Sequence, residues 1–104
     1  MLVKETIDKN NFNLIKYGFK LVDIKPNNSL WRNVSVGDKI IYNKELKAKI
    51  VGLIYYSNPQ ELTNNENIDD IYPTFNEKEV RRYCYKYIPK CKHKGLYVVY
   101  LKVL

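Results

Sequence analysis

Lys20, Asp23 and Lys25 place two ammonium groups and a carboxylate within the short stretch Gly18-Phe19-Lys20-Leu21-Val22-Asp23-Ile24-Lys25. A lysine held away from water can accept a proton or stabilise developing negative charge, and a carboxylate beside it can pair with it or orient a ligand. If the chain is an enzyme, Lys20 and Asp23 are its candidates for that work. If it is a binding protein, Lys20, Asp23 and Lys25 line a polar cleft, and Trp31 offers a ring on which a base can stack. Trp31 also reads as a core plug. Side chains alternate along a strand, so Asp23 and Lys25 share one face while Lys20 takes the other unless the strand is bulged. A regular strand would leave Lys20 and Asp23 as separate charges at a strand edge.

A second group is cationic. Arg81, Arg82, Lys86, Lys90, Lys92 and Lys94 occur without an intervening acid, whereas Glu61, Glu66, Asp69 and Asp70 precede them, within a net charge of +7. Tyr83, Tyr85, Tyr87 and His93 are interleaved with these cations. Cations meet phosphates and rings meet bases, so the pattern suits RNA, single-stranded or carrying a modified base. A solvated basic face is the plainer reading, and an acidic protein is the alternative partner.

Other chemistries find less support. Cys84, Cys91 and His93 lack a fourth ligand and the usual paired spacing, so no metal is expected. His93 is the sole histidine, in a lysine-rich stretch that would keep it exposed. Gly18, Gly37, Gly52 and Gly95 are isolated, which leaves no phosphate loop or dinucleotide fingerprint and no cofactor.

The elements that must position these residues follow an α+β pattern. Asn10 or Asn11 caps a short helix carrying Phe12 and Ile15, which Gly18 terminates in the left-handed conformation. The next strand runs from Phe19 to Ile24 and stops at Pro26. Asn27-Asn28-Ser29 reads as a turn that returns Leu30 and Trp31 to the core. The Ser35 to Asp38 turn starts a strand through Tyr42. Leu46 to Tyr56 forms a long strand with Ala48, Ile50, Gly52, Ile54 and Tyr56 on one face, and Gly52 marks a bulge or bend. Asn58-Pro59 opens a short helix, and Ile68 to Pro73 is a turn that pins Ile71 to the core. Asn76 and Glu79 have capping-box spacing ahead of a helix that buries Val80, Tyr83, Cys84 and Tyr87. Leu96 to Leu104 is a strand apolar on both faces.

A chain of 104 residues, 45% apolar and 28% charged, reads as one domain spanning 1–104. Its longest apolar runs, Ile50 to Tyr56 and Leu96 to Leu101, fall short of the roughly 20 residues that cross a bilayer, and no signal-peptide pattern is present. An intracellular, cytoplasmic location with reduced cysteines is expected, without a membrane partner.

The order helix, Gly-x-Lys-x-x-acid-x-basic strand, Gly-Asp strand, long strand, helices ending in Ile-Pro or Tyr-Pro, and terminal strand resembles an ASCH domain of the PUA-like group. The resemblance covers nearly the whole chain. It implies a small β-barrel of five or six strands with two or three flanking helices, and a cleft between the first helix and the barrel. Family members have been linked to RNA binding and, in some bacterial proteins, to hydrolysis of acetylated cytidine. The amidohydrolase members carry Lys-x-x-Thr after the first helix and a later glutamate. Here Lys20 matches the lysine, Asp23 stands at the threonine position, and Pro73 or Thr74 stands opposite the glutamate. Glu66, Asp69, Asp70 and Glu77 are the nearby acids. A threonine hydroxyl can attack a carbonyl once lysine takes its proton, whereas a carboxylate pairs with the lysine instead. The resemblance therefore implies an RNA-binding module with a base cleft near Lys20, Asp23, Lys25 and Trp31, and leaves a small hydrolase of a modified nucleoside, or a ribonuclease, as the alternative.

Overall fold

Asparagine side chains open four of the short helices of this chain, and Gly18, Gly37 and Gly95 take positive φ ahead of strands. The computed structural model describes residues 1–88 and 94–104. In chain order the elements are β1 (Leu2–Glu5), α1 (Lys9–Lys16), β2 (Val22–Pro26), α2 (Ser29–Asn33), β3 (Lys39–Tyr42), β4 (Leu46–Tyr56), α3 (Pro59–Asn65), α4 (Ile68–Ile71), α5 (Glu77–Cys84) and β5 (Leu96–Val103). The side chains of Asn28, Asn58, Asn67 and Asn76 each accept a backbone N–H from the first turn of the helix that follows. Each thereby satisfies a donor that the helix itself leaves free. This repeated capping is why the described residues hold five helices rather than the two or three expected.

The strands form one five-stranded mixed sheet in the order β1-β3-β4-β5-β2. It curls into a half-barrel and is not closed: β1 and β2 are both edges, so the closed barrel expected from the sequence gives way to an open one. Pairing is antiparallel except between β1 and β3, where Val3 lies opposite Ile40. Two apolar clusters fill the two sides. One gathers Val3, Phe12, Ile15, Trp31, Ile40, Tyr42, Ala48, Ile50 and Val99. The other joins Val22, Ile24, Leu96 and Val98 to Leu62, Ile71, Val80, Tyr83 and Cys84 of α3, α4 and α5. Neighbouring Val98 and Val99 serve opposite sides, as strand alternation requires.

Gly52 lies at the bulge expected of it, where the β4–β5 register shifts between Ile50 and Gly52. A Cβ there would stand 2.8 Å from the Tyr100 ring. The bulge also overturns the single-face reading of β4. Ala48, Ile50 and Leu53 pack on the first side, whereas Tyr56 packs on the second, because the extra residue reverses the alternation.

Four local expectations shift. Asp8, not Asn10 or Asn11, caps α1, accepting the Asn11 N–H at 3.1 Å. β2 starts at Val22 instead of Phe19 and includes Pro26, which an edge strand tolerates because its missing N–H would face away from the sheet. The expected turn after Pro26 is the cap of α2, which buries Trp31 but leaves Leu30 41% exposed. β1, four residues long, is a further strand for which the sequence carries no turn signal. Gly18, with φ of 81°, ends α1 as expected, and the capping box at Asn76 and Glu79 forms as its spacing predicts. Among the described residues no helix is long and apolar enough to cross a membrane.

Candidate functional site

β2 is regular, so Asp23 and Lys25 point to the same side, and both are buried, at 3% and 4% exposure. Lys25 Nζ lies 3.1 Å from Asp23 Oδ2. The same carboxylate accepts the Tyr42 hydroxyl at 2.9 Å and, through Oδ1, the Ile24 N–H at 2.9 Å. Burial works against the charge of Asp23, but Lys25, then Lys20, and the Tyr42 hydroxyl outweigh it and hold its pKa below the usual carboxylate value. Burial likewise works against Lys25, yet Asp23 and Glu5 overcome it and raise its pKa. Tyr42 is pushed well above the usual phenol value by burial and by the Asp23 charge that it faces. The pair is therefore ionised and saturated with donors, the condition under which a buried ion pair is tolerated.

Lys25 also bridges the opening of the half-barrel. Its Nζ is 3.7 Å from Glu5 Oε2, which joins edge strand β2 to edge strand β1 through side chains where no backbone pairing closes the sheet. The Trp31 and Tyr42 rings stand 5.7 Å and 5.9 Å from the same ammonium group. At this seam is a pocket of about 260 Å³ lined by Glu5, Lys25, Pro26, Asn28, Trp31 and Tyr87, with Leu30 completing its wall. Trp31 is 1% exposed and part of the core, as the core-plug reading expects, and it also borders the pocket. A volume just below the roughly 300 Å³ at which drug-sized sites begin suits a single planar group.

Lys20 occupies a separate chamber. It precedes β2, is 1% exposed, and donates from Nζ to the Ile71 carbonyl at 2.6 Å, between the rings of Tyr72 and Tyr83 at 5.6 Å and 5.3 Å. Burial lowers its pKa, and the more distant Asp23 charge only partly offsets this. The three charged residues thus do not form one cluster. Asp23 and Lys25 are bonded, whereas among the described residues no ion pair within 4.0 Å joins Lys20 to an acid, and Lys20 does not line the seam pocket. The Tyr83 and Tyr87 hydroxyls, 3.2 Å apart, stand between the chamber and the pocket. The separation expected of a regular strand is therefore found, but the groups are buried and not exposed charges at an edge.

The acids nearby in sequence are engaged elsewhere. Glu66 accepts the hydroxyls of both Tyr56 and Tyr100, Glu77 pairs with Arg81 at 2.9 Å, and Asp69 and Asp70 sit in the first turn of α4. Cys84 is a buried free thiol whose pKa burial pushes up to about 12. Such a thiol is a core residue, not a nucleophile.

Arg82 on α5 and Lys86 just beyond it are exposed, and Arg81 is half-buried. A hollow of about 330 Å³ is lined by Lys78, Arg81, Arg82 and Tyr85, and Lys86 lies 5.0 Å from the Tyr83 ring centre. Lys94 is exposed, and its carbonyl accepts the Asn27 amide at 2.8 Å. Lys90, Lys92, Cys91 and His93 lie outside the described residues. Sequence reasoning missed Glu5, Tyr42 and Lys78. Lys78 stands between Glu77 and Glu79, ahead of the basic and aromatic run, and carries no such signal; nor do Glu5 and Tyr42, which meet Lys25 and Asp23 only through the fold.

No protein-family model matches this chain, and no curated protein matches it. Solved structures do. The crystal structure of the hypothetical protein PH0355 is similar over 100% of both chains, with a TM-score of 0.86 at 24% identity. The solution NMR structure of protein PF0455 from Pyrococcus furiosus is similar over 100% of this chain and 98% of that one, with a TM-score of 0.81 at 18% identity. At such identities the likeness is one of fold: the half-barrel with its helices is an architecture this chain shares from end to end.

Proposed function

We propose that this half-barrel is a PUA-like module of the ASCH kind that binds RNA inside the cell, taking an unpaired or modified base into the seam pocket while cations on α5 hold the phosphate backbone. The observation that carries this reading is Lys25, a buried ammonium held by Asp23 that lines a pocket of about 260 Å³ beside the Trp31 indole. An aromatic wall supplies stacking, and Lys25 with Glu5 supplies a fixed donor and acceptor for base edges. The exposed Arg82, Lys86 and Lys94, with the hollow that Tyr85 shares with Lys78 and Arg81, suit phosphates and a stacked base outside the pocket.

Hydrolysis is less well supported. Asp23, at the position where the amidohydrolases carry threonine, is committed to Lys25 and Tyr42. Lys20 is desolvated as a proton acceptor should be, but its partner is the Ile71 carbonyl, which is no nucleophile.

The test is binding of short single-stranded RNAs at two salt concentrations, with acetylated cytidine in parallel and its hydrolysis followed. Wild-type affinity should fall steeply with salt. Arg82→Glu with Lys86→Glu should weaken all sequences alike, whereas Leu30→Trp, which fills the pocket from its exposed wall, should abolish base preference and spare backbone affinity. Salt-insensitive or absent binding would remove the RNA reading, and turnover of acetylated cytidine would replace it with catalysis.

A further inference from the structure

Beside the seam, at the end of the β1–β3 ribbon, lies a second hollow of about 310 Å³ lined by Lys4, Glu5, Thr6, Ile41 and Lys44. Glu5 borders both this hollow and the seam pocket. Its carboxylate is drawn to Lys25, which leaves the ammonium groups of Lys4 and Lys44 and the Thr6 hydroxyl as the donors of the hollow. Ile41 adds an apolar surface.

Lys44 is held there against its own backbone preference. Asn43 and Lys44, with φ of 52° and 63°, are the two central residues of the turn between β3 and β4, closed by the Glu45 N–H donating to the Tyr42 carbonyl at 2.9 Å. Positive φ at both central positions is the type I′ hairpin turn, for which Asn-Gly is the favoured pair. Asn43 fits its position, and its side chain also bonds the Ile7 N–H at 2.8 Å and the Ile7 carbonyl at 3.0 Å. Lysine at the glycine position takes a left-handed conformation that its Cβ disfavours. Strain of this kind persists where a side chain is needed at that point.

We infer that the Lys4–Thr6–Lys44 hollow is a phosphate subsite, so that the molecule recognised is a nucleotide unit and not a free nucleoside. The base enters the seam pocket, the sugar passes Glu5, and the phosphate rests between Lys4 and Lys44 with the Thr6 hydroxyl donating to it. This inference rests on the base-pocket reading above, because Glu5 is the wall that makes the two subsites neighbours.

The experiment is an amide and indole NMR titration with the four common ribonucleosides and, separately, their 5′-monophosphates. Monophosphates should shift the Thr6 and Lys44 amides and bind about tenfold more tightly than nucleosides, as expected for hydrogen bonds to a charged group. Lys44→Gly should bring the monophosphate down to nucleoside affinity while leaving the thermal midpoint unchanged or higher, since glycine relieves the turn. A variant at least as stable as wild type excludes misfolding as the cause of lost binding. Equal affinity for nucleosides and monophosphates, or unaltered monophosphate binding by Lys44→Gly, would overturn the subsite. Nucleosides that shift the Trp31 indole with no gain from phosphate would do so while leaving the base pocket intact. Monophosphates that move Thr6 and Lys44 but not Trp31 would sink the base pocket and keep the subsite, and silence from every compound would overturn both.

Discussion

Lys20 and Lys25 are two lysines buried almost equally, at 1% and 4% exposure, a few residues apart, yet their pKa values move in opposite directions. Desolvation opposes the charge of both. What separates them is their partners: Lys25 has Asp23 at 3.1 Å and Glu5 at 3.7 Å, while Lys20 has a carbonyl and two aromatic rings. Burial alone therefore does not decide which way the pKa of a lysine moves. The opposite charges within reach decide it.

The comparison breaks most sharply at Asp23. Asp23→Ala leaves Lys25 buried with only the longer contact to Glu5, and strips Tyr42 of its acceptor. Removing one member of a buried pair costs about 3–5 kcal/mol, and urea unfolding should show a loss of that size. Asp23→Asn combined with Lys25→Met should recover a large part of it, because no uncompensated charge remains. Equal losses in the single and double variants would mean that packing, not charge, governs the seam.

Lys20→Met should be milder. It removes one hydrogen bond and leaves the Ile71 carbonyl without that donor, for about 1–2 kcal/mol, while also removing a charge that the chamber disfavours. The two lysines should also differ in alkaline pH dependence. The folded-state pKa of Lys20 lies below 10.5, so the unfolded chain binds more protons between that lower value and 10.5, and stability rises with pH across the interval. Lys25 has its folded value above 10.5, so its contribution is complete below 10.5 and is lost as pH climbs toward that higher value. At the acid end, the contribution of Asp23 is present above 3.8 and disappears as pH falls through its depressed folded value. Unfolding midpoints measured across pH should lose the alkaline rise in Lys20→Met alone. A rise that persists in that variant would assign it to another group.

The sequence was most legible where structure is local. Gly18 and the Asn76–Glu79 box act over one helical turn, and Gly52 announces its bulge as a lone glycine inside a long apolar strand. The ion pair of Asp23 and Lys25 was foreshadowed by their shared strand face. The rest depends on contacts distant along the chain. β1 has four residues and pairs in parallel with β3 beyond α1, β2 and α2, so no turn signal marks it. The face reversal of β4 follows from the bulge, but only the β5 register shows on which side the extra residue falls. Asn28 reads equally well as a turn residue or a helix cap, and the burial of Trp31 resolves it. Burial of Lys20 was the least legible feature, since the carbonyl and rings that shelter it come from α4, α5 and the segment between them.

The smallest expected effect sharpens the comparison most. Glu5→Gln removes the second carboxylate from Lys25 and keeps the shape of the side chain. Glu5 is partly exposed and its contact is long, so the loss should be about 1 kcal/mol or less. Its consequence should be local. Asn43 donates its N–H to the Glu5 carbonyl at 2.8 Å, tying the β3–β4 turn to the end of β1, so hydrogen exchange at the Asn43 amide should quicken while the Val99 amide in the central strand stays protected. If Lys25 still has a raised pKa in this variant, Asp23 alone sustains its charge and Glu5 serves the seam as a strap between the sheet edges. If that pKa instead falls below the ordinary lysine value, as that of Lys20 does, both carboxylates are needed to hold it up.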